Sequence, residues 1–135
     1  MTASVTPLRL EAARVSLVRV DETTDALRAE VRVFLQLEGE ESVGVISGDP
    51  AAAARSGLVA GAALRAIASL DDADYDLIDT TTALAGGVTV AIVVVDDPEG
   101  RRPLIGSAVI DADNRQVAFA KAALDAVNRR LARSL

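Results

Sequence analysis

Residues 31–53 read "VRVFLQLEGEESVGVISGDPAAA". From just before this stretch, Leu27, Ala29, Val31, Val33, Leu35 and Leu37 alternate with Arg28, Glu30, Arg32, Phe34, Gln36 and Glu38, the period-two pattern of a strand buried on one face. Gly39, among acidic neighbours, makes the turn, and "ESVGVIS" returns as the next strand. At the joint that follows, Asp49 can accept from the free amides of a coming helix, and Pro50 fits a first turn, where a missing N–H costs little. An alanine-rich helix then runs to about Leu70. Its apolar stripe is Val59, Ala63, Ala66, Ile67 and Leu70, with Arg55, Arg65 and Ser69 on the wet side. Upstream, "RLEAARVSLVRV" supplies a first strand at about residues 8 to 20, set off by the turn-forming "DETTD".

The order then starts again. "DYDLIDTTTAL" is rich in β-branched residues, "GGVTVAIVVVDD" is the clearest strand of the chain, and "DPEGR" places Pro and Gly as a type I turn requires. "RPLIGSAVI" returns, and "DADNRQVAFAKAALDAVNRRLARSL" carries Val117, Ala120, Leu124, Val127 and Leu131 at helical spacing. Arg129, Arg130 and Arg133 stand near its carboxyl end, where the helix dipole favours positive charge. Side by side, "VRVFLQLEG" matches "VTVAIVVVDD", "SVGVISGD" matches "LIGSAVID", and "AGAALRAIASL" matches "AKAALDAVNRRL". Gly44 falls opposite Gly106, Leu64 opposite Leu124 and Ile67 opposite Val127. The pattern predicts one α+β domain over residues 1–135. It is a tandem β-β-β-α repeat with pseudo-twofold symmetry, six antiparallel strands and two long helices. Unit one covers about 8–70 and unit two about 74–133. One such unit alone can barely cover its apolar face, and pairing two doubles the shared core.

"VTVAIVVV" is apolar on both faces, Val88, Val90, Ile92 and Val94 on one and Ala91, Val93 and Val95 on the other, so it calls for cover on both sides. The face of Ala91, Val93 and Val95 is the predicted contact surface of a homodimer, the alternative being that the other unit packs over it.

The 135 residues include neither Cys nor His, which removes disulfides, thiolate nucleophiles and the usual zinc ligands. The net charge of −6 and a total of three aromatic residues argue against nucleic acid, by repelling phosphates and by offering no stacking platform. No apolar run is long enough for a membrane span, and the start lacks a secretory pattern, so a cytoplasmic protein is expected. Apart from Lys121 every cationic residue is Arg, a usage associated with GC-rich bacterial coding.

The joint Gly48, Asp49, Pro50 and Ala51 is the candidate ligand site, because free helix amides and a nearby glycine suit an anionic group. Against it, the Asp49 carboxylate would itself occupy the amides, and the second joint, Asp111 to Asn114, has no glycine. Asp72, Asp74 and Asp76 have the opening spacing of a calcium loop, but Leu77 stands in place of its glycine and Ala83 in place of its closing glutamate. No metal site and no cofactor are therefore expected. Threonines 80 to 82 have no base beside them. Gly86 and Gly87 form a hairpin turn, and Arg101 and Arg102 stand in an exposed one.

The doubled order of elements resembles the carboxyl-terminal regulatory and dimerisation domain of 2-isopropylmalate synthase. Its strand-to-helix joint is similar in "GVISGDPAAA", through Gly44, Gly48, Pro50 and Ala51. The chain also looks like small proteins of high-GC bacteria. The synthase resemblance implies a regulatory domain that dimerises and binds an amino acid at a pseudo-symmetric interface. The expectation is a non-catalytic, homodimeric binding or regulatory module for a small polar metabolite or a protein partner. Two alternatives stand beside it: a small enzyme using the carboxylates of Asp74, Asp76 and Asp79, and a purely structural assembly subunit.

Overall fold

The computed structural model describes residues 15–71, 73–100, 102–111 and 114–133. Unit one consists of β1 (Ser16–Thr24), β2 (Ala29–Leu37), β3 (Glu40–Gly48) and α1 (Ala52–Asp71). Unit two repeats it as β4 (Asp76–Ala85), β5 (Val88–Asp96), β6 (Leu104–Val109) and α2 (Arg115–Arg133). The strands form two separate antiparallel sheets, ordered β1-β2-β3 and β4-β5-β6. The first strand begins at Ser16 and extends to Thr24, so it reaches into the "DETT" read as turn; the part expected from residue 8 lies outside the described residues. Leu27, expected at the head of the buried face, is 89% exposed in the turn that Asp25 organises by accepting from the amides of Leu27 and Arg28.

The two units agree in register as well as in order. In β2 and β3, Val33 stands opposite Gly44, and in β5 and β6, Val93 stands opposite Gly106. β1 slips its pairing with β2 between Leu17 and Arg19, and β4 slips against β5 between Leu77 and Asp79, so each first strand is bulged at the same place. A Cβ at Gly44 would collide with the backbone of Ala62 and Ala66 in α1, and one at Gly106 with the backbone of Ala122 and Ala126 in α2. Each helix therefore lies backbone to backbone on the third strand of its own sheet, an approach that only glycine allows.

Above and below this contact the core is aliphatic and rich in alanine. Val31, Val33 and Leu35 of β2 and Ala91, Val93 and Val95 of β5 are fully buried, with Val59, Ile67, Phe119 and Val127 from the helices. α1 packs on β2 and β3, α2 on β5 and β6, and the helices pack on each other. Each helix also reaches the first strand of the other unit, α1 touching β4 and α2 touching β1. This exchange makes the halves one body with a shared core.

The two faces of β5 are the reverse of what the contact-surface expectation requires. Ala91, Val93 and Val95 face inward and are inaccessible, whereas Val88, on the opposite side, is 40% exposed. A strand apolar on both sides carries no sign of which side the helix will take; here the inward side is the one in line with Val31, Val33 and Leu35.

No described helix is long and apolar enough to cross a membrane.

Candidate functional site

At the first joint, β3 ends at Gly48 and α1 begins at Ala52. Between them the Asp49 Oδ1 accepts from the Ala51 amide at 2.9 Å, and the Ala51 carbonyl accepts from Ala54 at 3.0 Å. Asp49 and Ala51 are exposed, Gly48 and Pro50 half-buried. The Ala51 amide is thus occupied by the chain's own carboxylate, which also disfavours an incoming anion. Gly48 does something else: a Cβ there would come within 2.7 Å of the Leu58 side chain, so the glycine lets that leucine swing close under β3. At the second joint Asn114 Oδ1 accepts from Asp111 at 2.9 Å; Ala112 and Asp113 lie outside the described residues.

Leu58 forms part of a cleft of 540 Å³ that runs between the edge strands β3 and β4 with α1 as its floor. Ile46, Leu58, Leu64 and Leu77 give it aliphatic walls. Gly57, Gly61 and Ala68 keep the helix floor low, and a Cβ at Gly57 would meet only open space. At the rim stand Arg65 on one side and Asp74 and Asp76 on the other, all exposed. Arg65 donates to the Val45 carbonyl at 3.3 Å, which leans its guanidinium over the β3 edge. The volume falls in the range of small-ligand sites, which run from about 300 to 1,000 Å³.

The corresponding place above α2 is bridged by a side chain. Where α1 has Ala68, α2 has Asn128, whose Oδ1 accepts from the Val15 amide at 2.9 Å and whose Nδ2 donates to the Val15 carbonyl at 3.1 Å. One carboxamide thereby binds α2 to the start of β1, as a neighbouring strand would. Val117 and Lys121 stand where α1 has Gly57 and Gly61. Asp125 takes the place of Arg65 and accepts from the Ser107 amide at 3.0 Å.

Asp74 and Asp76 are brought to the cleft. Asp79 is not: it pairs with Val94 on the outer side of the second sheet and accepts from its neighbour Thr80 at 2.9 Å. Thr80 Oγ1 lies 3.4 Å from Ser56 Oγ, while Thr81 and Thr82 are exposed. Asp72 lies outside the described residues, and among those described no three carboxylates gather as a metal site would need.

One polar cluster went unforeseen. Asp97, 2% exposed, closes the turn before β6 by accepting from Glu99 at 3.0 Å, and its carboxylate lies 3.5 Å from Arg130 Nε. Arg130 also donates to the Tyr75 hydroxyl at 2.9 Å and stands 3.5 Å from Glu99. Residue by residue the duplicates of Tyr75, Asp97 and Arg130 are Val15, Leu37 and Leu70, all in or against the core. The cluster is an ionic substitute for an apolar contact, and it fixes Tyr75 at the end of the cleft. Polar residues opposite apolar ones in the repeat were the available signal; the helix-dipole reading of Arg130 obscured it.

The outer faces of the two sheets also differ. On the first, Glu30 pairs with Arg32 at 2.8 Å, Arg19 with Asp21 at 3.1 Å, and the Arg19 guanidinium stacks 3.8 Å above the Phe34 ring. On the second, the places of Glu30 and Arg32 hold Val90 and Ile92, and Asp21 becomes Thr81. Ile78, Ile105 and Val109 are each more than half exposed around them. Compared with known proteins, the chain matches no family model and no curated sequence.

Proposed function

We propose that the chain is a non-catalytic, cytoplasmic binding module that works as a homodimer and takes a small polar metabolite in the cleft above α1. One observation carries the reading: two copies of one unit share a register to the residue, yet one keeps a cleft where the other bridges helix to strand with Asn128. Small residues at Gly57, Gly61 and Ala68 preserve that space at a cost, since glycine inside a helix is worth about 0.5–1 kcal/mol less than alanine. The aliphatic walls suit the apolar part of a ligand. Arg65 suits an anionic end and the carboxylates of Asp74 and Asp76 a cationic one. Gly48 contributes through Leu58, and Asp49, Pro50 and Ala51 set the start of the helix that floors the site. The resemblance to the 2-isopropylmalate synthase regulatory domain agrees with a regulatory role. The net charge of −6 speaks against a nucleic-acid partner.

The test is a thermal-shift panel of amino acids, nucleotides and divalent ions on the wild type and on Gly57→Val. A compound from the panel at 100 times its dissociation constant raises wild-type stability by about 2.7 kcal/mol. Gly57→Val, which introduces the side chain of Val117 at the matching place of α2, keeps the fold and loses the shift. A shift that survives in Gly57→Val places the ligand elsewhere. A panel without any shift removes these ligand classes.

A further inference from the structure

The outer face of the second sheet is largely aliphatic along its middle and gathers its carboxylates at one end, in a chain of net charge −6. Pairing places Val90 beside Ala83 and Val109, Ile92 beside Thr81 and Ser107, and Val94 beside Asp79 and Ile105. The same positions of the first sheet bear two ion pairs and a stacked arginine, so the backbone frame does not require an apolar surface. An exposed sheet face of this composition is an association surface.

We infer that this face binds the same face of a second copy, sheet against sheet, about a twofold axis that runs across the strands near Val90 and Ile92. The inference rests on the homodimer reading above and names its surface and geometry. Two features select a second copy. First, the face is self-complementary in charge only in one orientation. Its carboxylates, Asp76, Asp79 and Asp96, all stand at the Asp96 end. An axis along the strands would bring the two acidic ends together, whereas an axis across them sends these ends to opposite edges, where water reaches them. Second, the area suffices. Strands of 9 or 10 residues, at about 3.3 Å per residue and about 4.8 Å between strands, give each copy a projected face of about 400 Å². With side-chain relief and the rim, two copies reach about the 1,000 Å² at which specific interfaces begin. Aligned sheets packed about 10 Å apart then interdigitate Val90, Ile92 and Ile105 with their counterparts.

Sedimentation velocity across micromolar concentrations tests the surface with two sets of variants. The wild type sediments as a dimer. Ile105→Glu, at a site 56% exposed in the single chain, keeps the circular dichroism of the wild type and weakens dimerisation by about a hundredfold or more, because each dimer gains two buried unpaired carboxylates. Arg32→Glu, on the outer face of the first sheet, leaves the dimer intact. Since the chain holds no cysteine, Ile92→Cys gives one unique thiol. A bismaleimide with a span of about 10 Å joins two such chains, and fails to join Val45→Cys chains, whose thiol lies on the other sheet. A wild-type chain that stays monomeric overturns both the homodimer and this surface. A dimer that survives Ile105→Glu and is not cross-linked at Ile92→Cys overturns this surface and leaves the homodimer standing.

Discussion

Gly44 and Gly106 each admit a helix backbone into the space a side chain would take. The intruding atoms are main-chain, which cannot rotate away, so Gly44→Ala and Gly106→Ala each lower stability by about 3 kcal/mol, the upper end of overpacking costs, as read from urea unfolding. Gly57 is the opposite case: with open space around it, Gly57→Ala raises stability by about 0.5–1 kcal/mol. Both of the close-approach glycines were visible as matched residues in the alignment of the halves, though nothing in one sequence told them from turn glycines. The buried Asp97 was not visible, because an acid in "DDPEG" reads as an ordinary turn. Truncating its partner removes the guanidinium that lies 3.5 Å from that buried charge, so Arg130→Leu costs about 3 kcal/mol. The double change Asp97→Leu with Arg130→Leu, which restores the Leu37 and Leu70 of the first unit, recovers most or all of the loss in the same measurement.

Among the elements, strands and helices followed from period-two and helical patterning because most are amphipathic. The limits of β1 did not, since "VRVDETT" mixes polar residues with a bulge and its edge position leaves little to bury. For β5 the pattern was silent at the decisive point. Valine on both faces gives no inward direction, and only the helix above it makes Ala91, Val93 and Val95 the core side. The cleft escaped notice for a related reason: it is defined by what α1 lacks, and Gly57, Gly61 and Ala68 read as unremarkable helix until set against Val117, Lys121 and Asn128. Asn128 is the element-scale fastening. Asn128→Ala strips the paired hydrogen bonds from Val15 and costs about 1–3 kcal/mol, with faster amide hydrogen exchange at the start of β1.

For the whole molecule, the first strand of each half is held by the helix of the other. Residues 1–71 or 73–135 expressed alone therefore lose part of their cover and fail to fold, seen as an absent cooperative melt, whereas the intact chain melts in a single transition. The two joints of glycine with helix backbone bear on motion as well. With α1 locked to β3 and α2 to β6, neither helix can slide over its sheet without a backbone collision. Any displacement of α1 by an occupied cleft therefore carries its own sheet with it, and reaches the far sheet through the contacts of α1 with β4 and with α2. The molecule is thus geared for rocking and not for shear.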